Sequence, residues 1–79
     1  MKFIHIIERF ERIDSLIRIK ATGKPKNFAR KLNISERCLY NTIEIMKQLG
    51  APINFSRTKE SYFYEYDVDF KFKFMKKDK

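Results

Sequence analysis

Between Pro25 and Gly50 the chain is punctuated so tightly that few local structures are open to it. Pro25 suits the first position of a helix, where its missing N–H costs nothing. Phe28, Ala29 and Leu32 then fall at i, i+1 and i+4, an apolar stripe for one to two helical turns. Asn33 can take the left-handed conformation that ends such a helix. Ser35 can cap the next one, because its hydroxyl accepts an orphan N–H. Leu39, Ile43, Met46 and Leu49 recur at helical spacing and are expected to face inward, Lys47 sits in the last turn, and Gly50 supplies the stop. The stretch predicts a short helix over 25–32, a sharp turn, and a longer helix over 35–49 with a polar outer face.

On the N-terminal side, Phe3, Ile6, Ile7, Phe10, Ile13, Leu16, Ile17 and Lys20 trace i, i+3, i+4, i+7 spacing without an interrupting Gly or Pro. This predicts a first helix over 3–21 that ends at Thr22-Gly23, with Gly23 taking positive φ at the cap. Ile4 and Ile19 lie off the centre of the stripe. Beyond Gly50 the period changes. Pro52 forbids further helix, and Ile53 to Arg57 alternates apolar and polar residues as a half-buried strand does. Thr58-Lys59-Glu60 predicts a turn, and the aromatic run Ser61 to Tyr66 a second strand, giving a β-hairpin over 53–66. Val68, Phe70, Phe72 and Phe74 then alternate with Asp69, Lys71 and Lys73. That period of two predicts an additional strand over 68–74, which extends the preceding strand or pairs with a neighbouring subunit. Residues 75–79 are a charged tail.

At 79 residues this predicts one small α+β domain. Eighteen basic against ten acidic residues give a net charge of +8 and a pI near 9.8, a balance that favours a polyanionic partner. Cys38 is the only cysteine, so no disulfide framework, zinc site or paired redox motif can be built on it. No apolar run approaches the ~20 residues of a membrane span. Glu8, Arg9, Glu11 and Arg12 break the N-terminal apolar run too early for a signal peptide. A soluble cytoplasmic protein is expected. His5 has no partners at metal-ligand spacing, Glu8, Glu11 and Asp14 are interleaved with Arg9, Arg12 and Arg18, and no serine has a histidine placed by a readable motif. These residues point to no enzyme, no metal, no cofactor and no small-molecule ligand.

A helix, two helices around a tight turn, and a hairpin, in that order, resemble a winged helix-turn-helix domain of the DeoR-like and biotin-operon-repressor type. The resemblance covers roughly residues 5 to 66. It is carried by Phe28-Ala29-Arg30-Lys31-Leu32, by Ile34-Ser35-Glu36-Arg37-Cys38-Leu39-Tyr40-Asn41-Thr42-Ile43, by Leu49-Gly50-Ala51-Pro52-Ile53 and by the aromatic second strand Ser61-Tyr62-Phe63-Tyr64. Asn41 stands where the family often has an arginine, and Cys38 where it usually has a hydroxyl residue.

The resemblance implies a DNA-binding protein, a transcriptional regulator or an accessory factor of mobile DNA, whose helix 35–49 enters the major groove of double-stranded DNA. The outer face of that helix would carry Arg37, Cys38, Tyr40, Asn41, Glu44 and Lys47. Arg37 can bond two acceptors of guanine, and Asn41 can pair in the same manner with adenine. Ser35 caps the helix and can also donate to a phosphate. Tyr40 bonds a phosphate or covers the core edge, and Glu44 repels phosphates and works against close approach at its turn. Lys24, Lys26, Arg30 and Lys31 would lie along the DNA backbone, with Arg57 and Lys59 at the tip of the wing. The competing expectation is a protein–protein interaction module, docking through the winged-helix surface and the strand 68–74. A homodimer through that strand or the first helix is compatible with either.

Overall fold

The structure, a computed structural model, describes residues 3–71. Its first helix, α1, spans Phe3–Arg18 and buries Ile13 and Ile17 completely or nearly so. The second, α2, spans Pro25–Leu32, and the third, α3, spans Glu36–Gln48. Strands β1 (Ile53–Ser56) and β2 (Ser61–Tyr64) follow as an antiparallel hairpin. Three helices and then a two-stranded hairpin make an α+β layout, that of a winged helix with a C-terminal wing.

The local chemistry of the α2–α3 turn is as expected. Pro25 opens α2, and Asn33 closes it in the left-handed region at φ 59°. The Ser35 hydroxyl accepts the Cys38 N–H at 3.0 Å, which satisfies one orphan donor of α3. At the other end the Ala51 N–H reaches the Met46 carbonyl and the Gly50 N–H reaches that of Lys47. Gly50 has φ 108°, a conformation in which a side chain would be strained, so the helix ends here.

The core forms where the inner stripes of these elements meet. Leu39, Ile43 and Met46 of α3 pack with Ile13 and Ile17 of α1, Phe28 and Ala29 of α2, and Ile53 and Tyr62 of the hairpin. In the hairpin register, Phe55 lies opposite Tyr62 and Ile53 opposite Tyr64. Tyr62 is the aromatic hub: its ring is 5.0 Å from that of Phe55, edge to face, and 5.7 Å from that of Phe28.

The expected first helix over 3–21 ends earlier, at Arg18. Lys20, not Gly23, takes the left-handed cap at φ 54°, with the Lys20 N–H on the Ile17 carbonyl and the Ala21 N–H on that of Leu16. Beyond this cap Thr22 is fully buried against the hairpin. The Thr22 N–H donates to the Ser61 hydroxyl at 3.1 Å, and the Thr22 hydroxyl accepts the Tyr62 N–H at 2.9 Å. Thr22 thus supplies the outer edge of β2 with one acceptor of the kind a third strand would offer, for the Tyr62 N–H. Gly23 then reverses the chain at φ 74° into α2.

Four other expectations need correction. The hairpin turn occupies 57–60 rather than 58–60, so Arg57 belongs to the tip and not to a strand. Residues 65 and 66 form a bend beyond β2. Leu49 is 72% exposed, because 100° of rotation per residue carries it about 70° from the centre of the buried stripe. Residues 68–71 pair with no strand among the described residues, so the expected extension of the preceding strand does not form there; 72–74 lie outside the described residues, as does the tail 75–79. Side chains of α1 hold 68–71 instead. Arg18 donates to the Val68 carbonyl and lies 3.7 Å from the Asp69 carboxylate, while the rings of Phe10 and Phe70 meet edge to face at 5.9 Å. Among the described residues no helix is long and apolar enough to cross a membrane.

Candidate nucleic-acid interface

α3 divides lengthwise into two stripes. Leu39, Thr42, Ile43 and Met46 are buried. Opposite them, at 3.6 residues per turn, Arg37, Asn41, Glu44 and Gln48 fall within about 60° of one another. All four are exposed. Thr42 can belong to the buried stripe because its hydroxyl donates back to the Cys38 carbonyl at 2.7 Å. The outward stripe carries only side chains able to hydrogen-bond base edges. Gln48 is the residue of this stripe that the sequence analysis missed. Its spacing of seven from Asn41 was the available signal.

The remaining α3 residues expected at the interface separate to the two flanks. Tyr40 is half exposed. Burial pushes the Tyr62 phenol above its usual range, and Tyr40 adds to that shift. Lys47 is exposed on the same flank. Cys38 turns the other way. It is half-buried, and Arg9 of α1 donates to its Sγ at 3.3 Å. Ser35 is occupied as the cap.

The basic residues of α2 also divide. Lys26 and Arg30, one turn apart, point outward, and neither forms an ion pair among the described residues. Lys31 leans back, its ammonium donating to the Ala21 carbonyl at 2.7 Å, while its own carbonyl accepts from Arg12 at 3.0 Å. Lys24 lies 3.6 Å from Glu60. That exposed pair contributes little energy, but with the Thr22–Ser61 hydrogen bonds it places the hairpin tip beside the start of α2. Arg57 and Lys59 at the tip are exposed and without an ion pair among the described residues. The tip is ordered by the Ser56 hydroxyl, which accepts the Lys59 N–H at 3.2 Å, and by Glu60 in a left-handed conformation.

The base of the wing is fixed to α1 by a polar cluster. The Tyr64 hydroxyl donates to Asp14 at 2.7 Å, Arg18 pairs with the same carboxylate at 3.0 Å, and the guanidinium sits 5.6 Å from the Tyr64 ring centre. Burial pushes the Tyr64 phenol well above its ordinary range, and the bond to Asp14 pushes it further. The Arg18 guanidinium is also raised, chiefly by its hydrogen bond to Asp14. Among the described residues no group of three or more His, Cys, Asp or Glu is placed to hold a metal ion.

Fold and face together define an α+β protein of winged-helix layout with a polar, base-compatible stripe on its third helix. Compared with family models, with characterised proteins and with solved structures, the chain matches none, so the fold and the face carry the argument.

Proposed function

We propose that this chain binds duplex DNA, with α3 in the major groove and α2 and the wing tip on the flanking backbone. The observation that carries the reading is the outward stripe of α3, in a chain whose exposed Lys26, Arg30, Lys47, Arg57 and Lys59 form no ion pair among the described residues. Charges left unpaired in a protein of +8 are available to phosphates. In this reading Arg37 bonds guanine and Asn41 bonds adenine through paired hydrogen bonds, and Ser35 acts by fixing the start of the helix. Lys24 and Lys31 contribute less than Lys26 and Arg30, because protein groups already hold them. The role is that of a small regulator or an accessory factor of mobile DNA, acting in the cytoplasm.

The test is fluorescence anisotropy with a random-sequence duplex at 50 and 200 mM salt. Five phosphate contacts give a slope of about −4.5 in log K against log salt, a loss of about 500-fold across that range. Binding that changes less than about tenfold, or no binding at 50 mM, would overturn the reading. Docking to another protein through a 68–74 strand is the weaker alternative, since Phe70 is packed on Phe10 and Arg18 holds the Val68 carbonyl.

A further inference from the structure

An acidic residue stands in the middle of the outward stripe. Glu44 is exposed, lies between Asn41 and Gln48, and forms no ion pair among the described residues, although Lys47 is one turn away. Glu36, the other carboxylate of α3, is in the first turn, where the helix dipole favours negative charge. Glu44 is mid-helix and has no such support. On a surface meant for phosphates, an unpaired carboxylate weakens binding to every sequence unless a donor meets it. In the major groove, the N4 amino group of cytosine is the donor that suits a carboxylate. Guanine O6 and N7 and thymine O4 are acceptors and repel it, while adenine sets the N7 acceptor beside its amino group.

We propose that Glu44 is a specificity-determining residue that accepts a hydrogen bond from cytosine and rejects other bases at its position. This rests on the DNA-binding reading above and adds an order to it. At 1.5 Å per residue, Asn41 lies about 6 Å and Glu44 about 10 Å along the helix from Arg37. At ~3.4 Å per base pair, this is about three base-pair steps. Arg37, Asn41 and Glu44 then read guanine, adenine and cytosine within four consecutive base pairs. The carboxylate also lowers affinity for unrelated DNA, which widens the margin between the chosen site and the rest.

Selection from a randomised 20-base-pair duplex library, with wild type, Glu44→Gln and Glu44→Ala in parallel, tests this. Wild type should enrich a site in which one position shows about a tenfold preference for C·G, within four base pairs of an enriched G·C. Glu44→Gln should convert that one position to A·T, because glutamine pairs with adenine N6 and N7. Glu44→Ala should lose the preference there and bind the random duplex more tightly. An enriched site identical in all three proteins, or no enriched site at all, overturns the assignment to Glu44. In either case salt-dependent binding of the random duplex by wild type would leave the DNA-binding reading standing. Absence of any DNA binding at low salt would overturn both.

Discussion

Thr22→Val isolates the link between wing and helices, because it swaps a hydroxyl for a methyl at nearly constant volume. Thr22 is fully buried, and its Oγ1 is the acceptor for the Tyr62 N–H at 2.9 Å. Without it that N–H loses its partner on the outer edge of β2, a cost of about 1–3 kcal/mol for a buried donor. The added methyl returns less than about 1 kcal/mol. The net loss is about 1.5 kcal/mol, which for a domain of this size lowers Tm by roughly 6–12 °C. Ser61→Ala attacks the same knot from the other side, since it removes the acceptor of the Thr22 N–H. The two hydroxyl oxygens are 3.1 Å apart, so their losses are coupled. Thermal unfolding followed by circular dichroism, on wild type, both single variants and the double variant, measures the cycle. The double variant should lose less than the sum of the single losses, by at least about 0.5 kcal/mol. Thr22→Val within about 0.5 kcal/mol of wild type, or strict additivity, would refute the claim that these side chains stand in for a third strand.

Ser35→Ala should cost about 1 kcal/mol, because the Cys38 N–H loses its 3.0 Å acceptor, and Ser35→Asp should recover most of it; thermal melts decide. Tyr64→Phe should flatten the alkaline limb of the stability–pH curve. The folded-state phenol is raised above its ordinary value of 10.0, so its contribution is fully present below pH 10 and is lost as pH rises above it. Denaturant midpoints between pH 8 and 11.5 should therefore fall less steeply in the variant, and parallel curves would contradict the assignment. Lys26→Gln with Arg30→Gln should reduce the salt slope of DNA binding by about 1.8 and leave Tm nearly unchanged. An unchanged slope would remove α2 from the backbone contacts.

What was legible in the sequence was whatever depends on neighbours in the chain. Pro25, Asn33, Ser35 and Gly50 act within a turn of their own positions, and they bound α2 and α3 as expected. Apolar spacing placed Ile13, Ile17, Phe28, Leu39, Ile43 and Met46 in the core for the same reason. Apart from Leu49 and Gln48, whose facing follows from helical spacing alone, the misses are events between distant residues. Thr22 and Ser61 are 39 positions apart, and no local pattern announces that two small hydroxyls will share a buried edge. The alternation at 68–71 met β-propensity, but Arg18 captured a carbonyl of this segment and Phe10 a ring. On the candidate site, the outward position of Arg37, Asn41 and Glu44 followed from helical spacing, whereas the turn of Cys38 toward Arg9 and the restraint of Lys24 and Lys31 did not.

The two stripes of α3 have consequences for how such a helix tolerates change. Its inner stripe is shared with every other element of the core, so replacing Leu39 or Ile43 by alanine removes packing from α1, α2 and the hairpin together, at about 2–5 kcal/mol. A 79-residue domain has little more than that to lose. The outer stripe touches none of the core, and exposed substitutions there stay within about 0.5 kcal/mol. Arg37, Asn41, Glu44 and Gln48 are therefore free to vary for what they contact, while the helix that presents them is held nearly fixed. Ser35 and Thr42 sharpen this separation, since each satisfies a backbone group from within α3 and needs nothing from a partner. A change of binding preference without a change of fold needs only such an outer stripe, and here it lies wholly on one helix of 13 residues.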